Sequence, residues 1–257
     1  MDLVEQIVAW IGEQVKRAGA GGTVFGMSGG LDSSVVAALC HSAFAENALG
    51  AIMPCHSDPA DLRDARLVAE QFGITMTMVD LSPVFDALLE KLPEATEPVV
   101  INLKPRLRMM TLYYLAKKNG YLVVGTGNKS EVEVGYFTKY GDGGADILPL
   151  ASIYKTDLPV MAAELGVPSR IMEKTPSAGL WEGQTDEGEL GITYAVLDEI
   201  LKALEAGREP ESDPGLVKKV KRMIETSAHK RSQPPCFCAD QDKDFGSPPQ
   251  GISREQG

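Results

Sequence analysis

Thr23-Val24-Phe25-Gly26-Met27-Ser28-Gly29-Gly30-Leu31-Asp32-Ser33-Ser34 is the stretch whose reading decides the fold. Thr23-Val24-Phe25 is a short apolar run, and Val35-Val36-Ala37-Ala38-Leu39-Cys40 behind it has a helical pattern, so the segment reads as strand, glycine turn and helix start. Such a junction is an anion site. Gly29 and Gly30 permit positive φ and a close backbone approach, and the free N–H groups at the positive end of the following helix favour phosphate. Ser28, Ser33 and Ser34 add short donors. Asp32 is the odd member, because a carboxylate beside phosphates is repelled unless a divalent cation lies between them. A Walker loop would end in Gly-Lys-Ser/Thr, and no such lysine follows here.

Outward from this loop, apolar runs alternate with helical patterns. Val4, Ile7, Val8, Ile11 and Val15 predict a first helix before the strand at 23–27. Further strands are expected at 48–53, 74–79 and 121–124. Helices are expected from Pro59 to Phe72, from Ser82 to Leu89 and over 107–118, with Gly73 and Gly120 as caps. This alternation predicts an α/β fold, a doubly wound parallel sheet with helices on both faces. Ligands of such sheets bind beyond the carboxyl ends of the strands. Both Gly26–Gly30 and the turn Gly125-Thr126-Gly127 fall at such ends and are expected to face one crevice. From about residue 150 the chain reads as helix and loop, with helices at 155–165, 193–204 and 214–227. One domain over 1–238 and a mobile tail over 239–257, rich in Asp, Gly, Pro and Gln, are expected.

Composition narrows the class. At 257 residues and 44% hydrophobic there is ample material for a core, but no run approaches the roughly 20 apolar residues of a membrane span. Met1-Asp2-Leu3-Val4-Glu5-Gln6 lacks the features of a signal peptide, so a cytoplasmic protein without a membrane partner is expected. A net charge of −11 argues against a nucleic-acid partner. Cys40 and Cys55 read as reduced thiols, Cys40 as packing. Cys236-Phe237-Cys238 lacks a second Cys/His pair and is weak evidence for zinc. His41 and His56, with no partner nearby in sequence, read as structural.

The second half carries further candidates. Lys104, Arg106 and Arg108 crowd the start of a helix, the wrong end for cations unless an anion binds there. Glu131 follows the fourth strand; paired with Asp32 across the crevice, it would complete an oxygen site for Mg2+. Lys155 also opens a helical pattern, where a phosphate would supply the missing anion. The run from Gly135 to Asp146 mixes glycines with Tyr136, Phe137, Tyr140 and Lys139, which suits a flat heteroaromatic ligand. Trp181-Glu182-Gly183-Gln184-Thr185-Asp186-Glu187 lies between helices as a candidate lid.

Ser-Gly-Gly-x-Asp-Ser resembles the pyrophosphate loop of enzymes that cleave ATP between its α and β phosphates. Lys-x-Arg-x-Arg-Met, Gly-Thr-Gly-Asn-Lys-Ser-Glu, Gly-Tyr-Phe-Thr-Lys-Tyr-Gly-Asp-Gly-Gly-Ala-Asp, Thr-Asp-Glu-x-Glu-Leu-Gly and His-Lys-Arg then follow in order, reaching residue 231. Together they resemble the ammonia-dependent NAD+ synthetases, whose fold is the Rossmann-like, adenine nucleotide alpha hydrolase type. The resemblance implies a ligase that adenylates the carboxylate of nicotinic acid adenine dinucleotide (deamido-NAD+) with ATP, releasing pyrophosphate, before ammonia displaces AMP to give NAD+. Activation is needed because a carboxylate alone would have to expel oxide, and no protein nucleophile is required. The alternatives are another pyrophosphate-loop adenylating enzyme and a non-catalytic adenine-nucleotide-binding protein.

Carried over position by position, the resemblance assigns ATP to Gly26, Met27, Ser28, Gly29, Gly30, Leu31, Asp32, Ser33, Thr126, Lys155 and Ser177. It assigns Mg2+ to Asp32 and Glu131, and deamido-NAD+ to Arg106, Lys139, Asp146, His229 and Lys230. Asp32, Glu131 and Lys155 are the implied catalytic residues. It also implies a homodimer with substrate bound across the interface. Ser177 stands where many relatives have threonine and keeps the hydroxyl; Gly127-Asn128-Lys129-Ser130 departs from the Asp-His-Ala-Ala of some bacterial members and resembles an archaeal-like branch. The synthetase motifs leave no room for a glutaminase, so free ammonia is the expected donor unless a separate subunit supplies it.

Overall fold

A computed structural model describes residues 2–181 and 183–237; Glu182, Cys238 and the expected tail at 239–257 lie outside the described residues. The chain runs α1 (Leu3–Arg17), β1 (Thr23–Gly26), α2 (Leu31–Phe44), β2 (Ala48–Ile52), α3 (Pro59–Phe72), β3 (Thr75–Met78), α4 (Ser82–Leu89) and α5 (Glu97–Val100). It continues through α6 (Leu103–Asn119), β4 (Leu122–Val124), α7 (Lys129–Val134), α8 (Leu158–Leu165), α9 (Ser169–Met172), α10 (Asp186–Leu190), α11 (Tyr194–Glu205) and α12 (Pro214–Arg231). All strand pairs are parallel, in the order β3-β2-β1-β4, with Thr23 opposite both Ala48 and Leu122.

The period-2 alternation of a strand explains the two layers of helix. In β1, Phe25 points into a core with Ile11, Val15, Val36, Leu39 and Leu158, which α1, α2 and α8 supply. Its neighbour Val24 points the other way, into a core with Phe85, Leu107, Leu115 and Val123 from α4, α6 and β4. A third cluster, Val134, Tyr154, Leu197, Ile200 and Val220, joins α7, α11 and α12 beyond the sheet. The chain leaves β1 toward β2 on one side, and β4 arrives on the other. A doubly wound sheet opens a crevice where neighbouring strands diverge in this way, here at the carboxyl ends of β1 and β4.

Caps follow local chemistry. Asp2 and Glu5 form a reciprocal capping box that starts α1; Asp58 caps α3, with Pro59 at its first position. The elements expected from sequence are present, with two extensions that matter for function. The helix expected at 107–118 begins at Leu103, which places Lys104, Arg106 and Arg108 in its first two turns. The helix expected at 214–227 continues to Arg231 and carries His229 and Lys230 in its last turn. The sequence reading has no element at Lys129–Val134, where Asn128 and Glu131 form a second capping box and start α7. Among the described residues no helix is long and apolar enough to cross a membrane. Cys40 and Cys55 are buried, and burial pushes the Cys40 thiol up to about 12, against a hydrogen bond with Thr23.

Candidate active site

The carboxyl ends of β1 and β4 open into a cavity of about 1590 Å3. Gly26, Met27, Ser28, Gly30, Leu31, Asp32 and Ser33 form one wall, whereas Gly29 faces away from it. At Gly29 φ is +79°, and a Cβ there would stand 2.4 Å from the Asp61 carbonyl oxygen of α3. The loop therefore crosses α3 at a spacing only glycine allows. Its serines are engaged internally: the Ser33 hydroxyl donates to the Gly30 carbonyl at 2.9 Å and accepts from Ser28 N–H at 3.3 Å, and Ser34 donates to the same carbonyl at 2.8 Å. They shape the cradle, and its donors for an anion are the backbone N–H groups that open α2. Gly30 caps that helix without a side-chain bond.

Lys174, which no motif in the sequence marks, lines the same cavity and braces this loop. Its ammonium donates to Asp61 Oδ1 at 2.6 Å, to Asp64 Oδ2 at 2.9 Å and to the Gly29 carbonyl at 3.3 Å, while Arg170 holds the other Asp64 oxygen at 2.8 Å. Burial favours the neutral Asp64 carboxyl, but hydrogen bonds and charge from Lys174 and Arg170 outweigh it and hold the group below the usual carboxylate range.

Asp32, Glu131 and Lys155 meet at the centre of the cavity. Lys155 donates to Asp32 Oδ2 and, at 3.4 Å, to Glu131 Oε1. The anions expected beside Lys155 are thus carboxylates of this chain. Burial disfavours the Lys155 ammonium, yet Asp32 and Glu131 raise its pKa above the ordinary lysine value. Burial pushes the Glu131 carboxyl up to about 7, with Lys155 opposing and Asp32 and Asp186 adding to the rise. Tyr194 closes the group: its hydroxyl donates to Asp186 Oδ2 at 3.1 Å and to Glu131 Oε1 at 3.4 Å, and its ring lies 5.3 Å from Lys155 Nζ. Tyr136 donates to Glu189 Oε2 at 2.7 Å from the facing loop. Burial raises the Asp186 carboxyl too, against the attraction of Lys155.

The donor set fits a hard cation. Asp32 Oδ1 is buried and has no hydrogen-bond partner, and an orphaned carboxylate oxygen beside a second carboxylate is the kind of ligand Mg2+ takes. Among the described residues no group of three or more His, Cys, Asp or Glu converges as a metal site. A cation at Asp32 and Glu131 would draw its remaining ligands from water and phosphate, as Mg2+ usually does.

Thr126 and Ser177 line the same cavity, as do Trp181, Gly183 and Gln184 of the expected lid. The Lys104 ammonium donates to the Leu180 carbonyl at 2.7 Å, and Arg108 donates to the Met53 carbonyl at 3.1 Å and to Ser57 Oγ at 3.2 Å. Carbonyls and a hydroxyl, rather than an anion, satisfy these two cations. His56 also reaches the cavity wall and pairs with Asp86 at 2.8 Å.

Of the five residues assigned to the dinucleotide, Lys230 lines the cavity and donates to the Gly135 and Phe137 carbonyls at 2.8 Å each. Arg106, Lys139 and His229 instead form a chain on the rim: Arg106 donates to the Lys139 carbonyl at 3.4 Å, and Lys139 donates to the His229 carbonyl. Asp146 lies apart, accepting from Val123 N–H at 2.8 Å and from the Tyr113 hydroxyl at 3.1 Å. Lys174 and Tyr194 sit in segments without a residue pattern that marks a ligand. Asp186 does fall within both the expected lid and the Thr-Asp-Glu-x-Glu-Leu-Gly motif, although neither gives it a role of its own.

Comparison with known proteins bears directly on this site. An "NH(3)-dependent NAD(+) synthetase" of Finegoldia magna is 54% identical over 200 residues, covering 77% of this chain and 83% of the relative. Among solved structures, an NMN synthetase from Francisella tularensis superposes with a TM-score of 0.85 at 34% identity, over 91% of this chain and 97% of that one. An NH3-dependent NAD synthetase from Campylobacter jejuni, solved with nitrate, gives 0.80 at 31% identity, over 92% and 100%. The NAD synthase family model matches residues 3–234, a span that holds the phosphate loop, the Asp32–Lys155–Glu131 centre and the rim, and this chain belongs to that family.

Proposed function

We propose that this protein amidates nicotinic acid adenine dinucleotide with free ammonia at the expense of ATP, giving NAD+, AMP and pyrophosphate through an adenylated intermediate. The observation that carries the reading is the convergence of Asp32, Glu131 and Lys155 beside the glycine loop, in a cavity large enough for two nucleotides. The backbone N–H groups at the start of α2 hold the β and γ phosphates, and Thr126 and Ser177 line the nucleotide's path. Asp32 and Glu131 would hold Mg2+, which offsets the repulsion between the attacking carboxylate and the triphosphate. Lys155 places a cation beside the bond that breaks and opposes the charge growing on pyrophosphate. Position and charge suffice, because the substrate's own carboxylate is the nucleophile on the α-phosphorus. Ammonia then attacks the activated carbonyl carbon and AMP leaves.

Lys230, which lines the cavity, contacts the dinucleotide in this reading. Arg106, Lys139 and His229 stand outside it, which supports their use across a homodimer interface, toward the cavity of the second copy. The acidic net charge and the small-molecule cavity support a cytoplasmic metabolic enzyme with no nucleic-acid partner.

The test is to incubate the protein with ATP, Mg2+, ammonium and either nicotinic acid adenine dinucleotide or its mononucleotide, following NAD+, NMN and AMP. The likeness to an NMN synthetase makes the mononucleotide arm necessary. Formation of NAD+ with one AMP per turnover is expected. Turnover of the mononucleotide alone, or ATP cleavage to ADP, would overturn the assignment.

A further inference from the structure

Glu131 and Lys155 come from different segments, one on α7 and the other on the turn before α8, and neither segment is part of the sheet. Both segments are hydrogen-bonded to a buried carboxylate on α11. Asp198 is 1% exposed and Ser130 is fully buried. The Ser130 hydroxyl donates to Asp198 Oδ1, and Thr156 N–H donates to Asp198 Oδ2 at 2.9 Å. Lys155 N–H in turn donates to Ser130 Oγ at 2.9 Å, and Lys129 N–H to the Ile153 carbonyl at 2.8 Å. One carboxylate thus ties the residue before Glu131 to the residue after Lys155, and the serine it orients ties back to Lys155 itself.

The pattern is that of a hinge pin. Each oxygen of Asp198 serves a different segment, the serine hydroxyl both donates and accepts, and Asp198 and Ser130 are shut off from water. Buried networks of this kind hold one geometry because every alternative leaves a polar group unpaired. The charge is also well placed, at the N-terminal end of the turn that leads into α8, where backbone N–H groups favour an anion. A second anchor from α11 lies farther out: Glu205 accepts from Lys129 Nζ at 2.6 Å and from the Tyr154 hydroxyl at 2.8 Å, on the outer side of the same two segments. Neither Glu205 nor Asp198 lines the cavity.

We infer that Asp198, acting through Ser130 and Thr156, is a positioning residue that sets the spacing between Glu131 and Lys155 required for adenylation. The inference rests on the catalytic reading of that pair. An amide at position 198 offers one acceptor where two donors need one each, and alanine at 130 deprives Lys155 N–H of its acceptor.

The test compares Asp198→Asn, Ser130→Ala, Glu205→Gln and Lys155→Ala at a temperature where each is folded by circular dichroism. For Asp198→Asn and Ser130→Ala, kcat should fall about 100-fold, the order expected of a misplacement near 1 Å, while KM for ATP and for the dinucleotide stays within about twofold. Glu205→Gln, on the same helix, should melt earlier with kcat unchanged, which separates positioning from general support of α11. Ser130→Ala keeps the inference testable if Asp198→Asn does not fold. Normal kcat in Ser130→Ala or Asp198→Asn beside a slow Lys155→Ala would overturn the positioning role alone. Normal kcat in Lys155→Ala would instead remove the catalytic pair on which the inference stands.

Discussion

Gly29→Ala tests the link between the crossing of the phosphate loop over α3 and the reactivity of the cavity. The new Cβ would lie 2.4 Å from the Asp61 carbonyl oxygen, 2.9 Å from Asp64 Cβ and 3.0 Å from Ala65 N. Two of these are backbone atoms of a helix, so rotamer changes cannot relieve the contact, and loop and helix must part by about 1 Å to reach ordinary packing distance. Holding alanine at a φ of +79° adds a left-handed penalty of about 1–2 kcal/mol, and forced repacking costs about 1–3 kcal/mol. A total of about 2–5 kcal/mol corresponds to a melting temperature lower by about 10 °C in a chain of this size. Displacing the loop by that distance should also reduce kcat about 100-fold. Gly30→Ala is the matched control for the melting temperature alone, since its backbone is extended and its Cβ would meet only Ser28 Oγ, at 3.4 Å, but it lies in the phosphate cradle. Calorimetry on both variants and steady-state turnover of Gly29→Ala decide the matter. A Gly29→Ala protein that melts within about 2 °C of the parent and turns over normally would refute the argument from close approach.

Glu131→Gln should reveal the cost of ionising a buried carboxyl. Because the folded pKa is raised, from 4.5 to about 7, the parent loses stability as pH rises through that window, and the loss is complete above it. The glutamine variant lacks this term, so its stability relative to the ligand-free parent should grow as pH rises from 4.5 to 7 and then level off; parallel urea midpoints across that range would contradict it. Lys174→Met removes the brace on Asp61, Asp64 and Gly29 and should cost about 1–3 kcal/mol while raising KM for ATP about tenfold; an unmoved KM would disconnect Lys174 from the phosphate loop. For the rim, mixing inactive Arg106→Ala with inactive Asp32→Asn should restore about a quarter of parental turnover if two copies share each site; no recovery would rule out Arg106 acting in the second copy's cavity.

How much of this was legible in the sequence depends on where the partners lie. The parallel sheet and the crevice follow from local signals: Thr23-Val24-Phe25 beside Gly26–Gly30, and the matching run before Gly125-Thr126-Gly127, each report on one strand and its exit turn. Asp32 and Glu131 were readable as a pair because each stands just past such an exit. The partner of Lys155 was not readable, since a lysine at a helix start asks for an anion without saying whether ligand or protein supplies it. Lys174 escaped notice because its partners, Asp61 and Asp64, are more than 100 residues away and lie on a helix whose pattern looks ordinary. Asp198 hides in a regular amphipathic helix, and only its burial distinguishes it. Short helices such as Lys129–Val134 hold too few residues to show a period and take their form from caps and tertiary contacts.

The central claim is that the substrate carboxylate attacks the α-phosphorus of ATP at the centre formed by Asp32, Glu131 and Lys155. The most direct measurement uses nicotinic acid adenine dinucleotide with 18O in its carboxylate and follows the label by mass spectrometry during turnover with ATP, Mg2+ and ammonium. The account requires one 18O atom in AMP for each NAD+ formed, with none in pyrophosphate. Unlabelled AMP, or ADP together with labelled inorganic phosphate, would contradict it.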